Sequence, residues 1–78
     1  MTLVDVKEGD WILVEKTTSD DITWQALRFG IGEGSKIQVQ KNIPGGPIII
    51  SKNQQEIAIG RQLANAIQVS VYTRSSDK

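Results

Sequence analysis

The sequence predicts a mainly β fold: a small five-stranded barrel or sandwich, with one short α-helix between the first and second strands and a one-turn helix before the last strand. Three observations lead there. Five short apolar stretches rich in isoleucine and valine follow one another at close spacing. Turn signals separate them, with Pro44-Gly45-Gly46-Pro47 as the strongest breaker. A single longer segment, residues 18–29, carries helical periodicity. Short strands punctuated by glycine and proline turns are the pattern of a small barrel or sandwich. Closing the sheet also removes exposed strand edge, which an isoleucine-rich chain needs. The 78 residues allow one domain and one core. At 38% hydrophobic and 23% charged, the chain falls with folded rather than disordered sequences.

Leu3 and Val6 are apolar anchors ahead of the turn Lys7-Glu8-Gly9-Asp10. Residues 11–15 form the first strand, with Ile12 and Val14 inward and Trp11 and Leu13 outward, because strand side chains alternate. Thr18, with Asp21 three residues later, reads as a capping box that starts a helix reaching about Phe29. Asp20 and Asp21 suit the positive end of the helix dipole, a simpler account of the pair than a metal site. Ile22, Ala26 and Phe29 share one apolar face, and Gly30 is the natural stop. Residues 36–41 alternate cleanly, with Ile37 and Val39 inward. In the run Ile48-Ile49-Ile50, Ile48 and Ile50 face inward and Ile49 outward. Residues 52–55 form a polar hairpin turn in which Asn53 is best able to adopt positive φ. Residues 56–59 are the fourth strand. Residues 60–65 make one packed turn that buries Leu63 and Ala64, and residues 67–71 the last strand, with Ile67, Val69 and Val71 inward. Residues 1–73 are expected to form the domain and residues 74–78 a frayed polar tail.

Several function classes drop out on composition. Nine basic residues balance nine acidic ones, so the long-range positive field that draws in nucleic acid is missing. With no cysteine and no histidine there is no disulfide, no zinc, haem or iron–sulfur site of the usual kind, and no base for a serine or cysteine triad. Gly30-Ile31-Gly32-Glu33-Gly34 is not a phosphate loop, since it follows a helix and leads into a strand. No acid–base pair is placed by a motif, so neither catalytic residues nor a cofactor is expected. No apolar stretch reaches the length of a signal peptide or membrane span, and a cytoplasmic location without membrane insertion is expected.

Four segments then point to a family. These are Leu27-Arg28-Phe29-Gly30-Ile31-Gly32-Glu33-Gly34, Ile43-Pro44-Gly45-Gly46-Pro47-Ile48, Glu56-Ile57-Ala58-Ile59-Gly60-Arg61-Gln62-Leu63-Ala64 and Ile67-Gln68-Val69. In this order and spacing, and with the opening from Leu3 to Gly9, the chain resembles the FeoA family of bacterial ferrous iron uptake over nearly its whole length. The resemblance implies an SH3-like barrel acting beside FeoB, a membrane iron transporter with a cytoplasmic GTPase domain. It also implies a family-level link to transition metal ions, and kinship with the C-terminal domain of DtxR-type repressors. Two features depart from the family pattern. Ser51-Lys52-Asn53-Gln54 stands where the family usually has Arg-Val-Arg-Gly, and the helix before Gly30 carries Trp24 and Gln25 with Arg28 as its only basic residue.

The glycines and prolines of this pattern shape turns, and its isoleucines and valines fill a core. Partner-binding candidates are therefore the side chains that neither turn nor core uses: Trp11, Leu13 and Ile49 on the outer sheet face, Trp24 and Arg28 on the helix, and Arg61 after Gly60. The reading that follows is a non-enzymatic accessory protein binding the cytoplasmic region of a FeoB-like transporter. The alternative is a self-associating regulatory module like the detached SH3-like domain of a metal-dependent repressor, in which the chain forms a homo-oligomer.

Overall fold

The computed structural model describes residues 1–73. After a short 3-10 turn, Leu3–Asp5, come β1 (Trp11–Thr17), α1 (Asp20–Arg28), β2 (Lys36–Asn42), β3 (Ile48–Lys52), β4 (Gln55–Ile59), α2 (Arg61–Ala64) and β5 (Ile67–Thr73). All five strands belong to one antiparallel sheet in the order β4-β3-β2-β1-β5. This is the mainly β, SH3-like architecture expected, with both helices where the sequence placed them. The residues expected to fray, 74–78, lie outside the described residues.

The alternation read from the sequence sets the core. Ile12, Val14, Ile37, Val39, Ile48, Ile50, Ile59, Ile67 and Val69 are buried on the inner face of the sheet. Leu3, Val6, Ala26, Ile31 and Ala64 complete the cluster from the N-terminal segment, the helices and the loop after α1. Val71 and Leu63, both expected inside, are half-buried and pack against that cluster. Register shifts in the β1–β5 pairing, at Trp11/Ile12 and Val14/Lys16, and in the β2–β3 pairing at Val39/Lys41 mark irregularities in the ladder. Such bulges bend and twist strands, which lets one short sheet wrap its inner face.

The helix start differs from expectation. Ser19, not Thr18, is the N-cap: its hydroxyl accepts from Ile22 N–H at 3.3 Å. Thr18 instead donates its backbone N–H to the Ala66 carbonyl, which ties it to the approach to β5. Tertiary pairing thus took the residue that a local pattern had assigned to the cap. The helix end is as read. Gly30 has φ +76°, its N–H bonds the Leu27 carbonyl, and the Ile31 N–H bonds the Ala26 carbonyl. That is a Schellman closure, with Ile31 as its buried apolar partner. Phe29, expected on the buried face, is instead the C-cap and lies 39% exposed, because the chain leaves helical geometry there.

Candidate partner-binding surfaces

The outer sheet face carries the first surface. Trp11 stands opposite Gln38 on β2 and Thr73 on β5, and Leu13 opposite Lys36 and Ser70. Trp11 is 39% exposed and Leu13 is half-buried. Tyr72 packs beside Trp11, with ring centroids 6.4 Å apart and planes tilted by 53°. Lys36 Nζ sits 5.4 Å from the Tyr72 ring centroid, within cation–π range. Glu15 accepts from the Ser70 hydroxyl at 2.6 Å on the same face. Ile49 points outward as expected but is half-buried, and it pairs with Lys41 and Ala58 rather than with the aromatic residues.

Tyr72 and Lys36 were missed as members of this surface, though the signal was available. Val71 facing inward sends Tyr72 outward, and the antiparallel pairing of β1 and β5 then brings it to Trp11.

Helix α1 forms a second, separate surface. Trp24 is 68% exposed, and Arg28, one turn later, is exposed beside it. Helical geometry puts i and i+4 on one face, here opposite the face that buries Ala26. Leu27 is also exposed, yet it packs against Gly32: a Cβ built there would lie 2.6 Å from its Cδ2. Lys52 from the end of β3 donates to the Gly30 carbonyl, which anchors the hairpin to the end of the helix.

Arg61 belongs to neither surface. Its Nε donates to the Gly46 carbonyl at 3.0 Å, and its Nη2 to Asn42 Oδ1 at 2.7 Å and the Ile43 carbonyl at 2.6 Å. Asn42 in turn donates from Nδ2 to the carbonyls of Val4 and Val6. One arginine and one asparagine thus staple the N-terminal segment, the Pro44-Gly45-Gly46 loop and α2 together. No local pattern announces Asn42, because its partners are 36 and 38 residues away.

A shared feature of these surfaces is what they lack. Among the described residues, no three His, Cys, Asp or Glu side chains gather closely enough to hold a metal ion. No helix of the described residues is long and apolar enough to cross a membrane.

The fold and surfaces define a class first: a small SH3-like β domain that displays aromatic side chains on its sheet and on its helix. The FeoA domain matches residues 1–71, and the chain belongs to the FeoA family. It is 43% identical over 68 residues to the putative Fe(2+) transport protein A of Methanocaldococcus jannaschii, covering 86% of this chain and 82% of that protein. A crystal structure of an iron uptake regulatory protein, FeoA, is similar with a TM-score of 0.79 at 32% identity, over 88% of this chain and 96% of the other. ScaR with bound Cd2+ is similar in fold alone, with a TM-score of 0.78 at 21% identity over 88% of this chain and 34% of ScaR. A manganese-dependent transcriptional repressor is likewise similar in fold alone, with a TM-score of 0.76 at 20% identity over 91% of this chain and 40% of the other.

Proposed function

We propose that this chain is a non-catalytic accessory protein of ferrous iron uptake that binds the cytoplasmic GTPase region of a FeoB-type transporter and modulates it from the cytoplasmic side. The observation that carries the reading is family membership across residues 1–71, joined to 43% identity with a relative described as an Fe(2+) transport protein. The outer face around Trp11, Tyr72, Leu13 and Lys36 supports it physically. Partly exposed tryptophan and tyrosine packed side by side are the residue types of an interface centre rather than of inert surface. Trp24 and Arg28 are the second candidate contact.

The test is titration calorimetry of the chain against the cognate transporter's cytoplasmic domain. Saturable binding is expected, with Trp11→Ala weakening it about tenfold or more, as truncation of a central aromatic does. Trp11 is outside the buried cluster, so circular dichroism of the variant is expected to match the parent. No binding at concentrations up to about 100 μM, a level that registers affinities weaker than 1 μM, refutes the adaptor reading.

A further inference from the structure

The guanidinium of Arg61 is held by neutral oxygens: two backbone carbonyls and one side-chain amide. Among the described residues its charge meets no carboxylate at ion-pair distance, since the one salt bridge there joins Lys41 to Glu8 at 4.0 Å. Nε and Nη2 are engaged, whereas Nη1 makes no hydrogen bond to a described residue. Asn42, itself fixed on Val4 and Val6, locks the side chain in place. A long flexible side chain ordered in advance spares a ligand that entropic cost.

This immobilised cation lines an open groove of about 410 Å³ together with Val6, Lys7, Glu8, Asn42 and Pro44. Pro44, which is exposed, offers apolar contact. Lys7 adds a second cation, and Lys41, 4.0 Å from Glu8, partly offsets the charge of the one carboxylate among these lining residues.

We propose that the groove is a receptor for a carboxylate side chain, Asp or Glu, on an extended segment of a partner protein. The carboxylate is taken by Arg61 Nη1 and Lys7 Nζ, and a flanking aliphatic residue lies on Pro44. Charge complementarity selects the occupant. Arginine recognises phosphate best through its two-nitrogen fork, but here Nε and Nη2 are already spent. A single carboxylate needs only the remaining nitrogen and the neighbouring ammonium. The inference deepens the adaptor reading and rests on it only in taking the occupant to be a protein.

The test is amide NMR titration of the labelled chain with an acetylated, amidated Leu-Asp-Leu-Glu-Leu peptide, with its Asn/Gln counterpart, and with inorganic phosphate. The acidic peptide is expected to shift the amides of Val6, Lys7, Glu8 and Asn42 saturably, with a dissociation constant of roughly 0.1–1 mM for so small an interaction. The uncharged counterpart is expected to bind at least about tenfold more weakly, the loss of a charge-assisted bond. Lys7→Glu, which lies outside the Arg61–Asn42 staple, keeps the fold and is expected to weaken the acidic peptide about threefold or more. Equal binding of the two peptides, shifts centred elsewhere, an unchanged affinity in Lys7→Glu, or phosphate binding more tightly than the acidic peptide each overturns the proposal. Peptide binding without capture of a transporter domain refutes the adaptor reading alone; capture without peptide binding refutes the groove alone.

Discussion

Replacing Gln54 by glycine is expected to stabilise the domain. The β3–β4 hairpin is closed by the pair Lys52↔Gln55, leaving Asn53 and Gln54 as a two-residue loop. Their φ angles are +53° and +69°. Positive φ at both positions is the signature of a type I′ turn, whose twist matches that of the flanking strands and whose preferred sequence is Asn-Gly. Asparagine suits the first position. Glutamine at the second has no local hydrogen bond to offset the contact between its Cβ and the carbonyl oxygen, which costs about 1–2 kcal/mol. Glycine removes that cost and gives back about 0.5–1 kcal/mol through the greater freedom of the unfolded chain. The midpoints leave a net gain of about 0.75 kcal/mol, and the extremes about 0–1.5 kcal/mol. For a domain of this size the gain of about 0.75 kcal/mol corresponds to a rise in Tm of roughly 3–6 °C. Thermal unfolding followed by circular dichroism reads the shift, and urea titration checks that the midpoint moves without a change in slope. Gln54→Ala keeps the Cβ and is expected to give no such gain. A Tm for Gln54→Gly equal to or below the parent's refutes the reasoning, and with it the left-handed turn at Gln54.

Other perturbations test other parts of the fold. Gly30→Ala places a Cβ at φ +76° in the Schellman closure and is expected to cost about 1 kcal/mol, visible as a lower urea midpoint. Ile50→Ala, at a fully buried position, is expected to cost about 2–5 kcal/mol. That is a large share of the roughly 4–12 kcal/mol a chain of this length commands, so the variant is expected to be partly unfolded at 37 °C by amide exchange. Ile50→Val, at about 0.5–1.5 kcal/mol, is expected to stay folded. Trp24→Ala removes a side chain that is 68% exposed. Its Tm is expected within about 2 °C of the parent, while any weakening of transporter-domain binding assigns the α1 surface to the interface.

Much of this could be read along the chain because the governing rules are local. Alternation in residues 36–41 and 48–50 told inside from outside for Ile37, Val39, Ile48 and Ile50, and burial agrees at each one. Gly30 and Asn53 were legible for the same reason: few residues adopt positive φ, and these two are where the chain must turn. Thr18 and Phe29 mark the limit of such reasoning. Both were assigned from spacing within the helix, and both were decided by contacts spacing cannot express, namely the Ala66 carbonyl for Thr18 and the departing C-cap geometry for Phe29.

The sequence by itself determined the β class, the order of elements and the inward face of the central strands, since each follows from neighbours two to four positions away. It also confined partner candidates to residues the core does not use. Tertiary structure alone decided how those candidates group. Pairing of β1 with β5 brought Tyr72 to Trp11 and left Ile49 two strands away, while α1 carried Trp24 and Arg28 to a different side. It also turned Arg61 from a solitary cation into the centre of a staple reaching back to Val4 and Val6 through Asn42. Those contacts join residues 15 to 61 positions apart, and only closure of the chain, driven by burial of its isoleucines, brings such residues together.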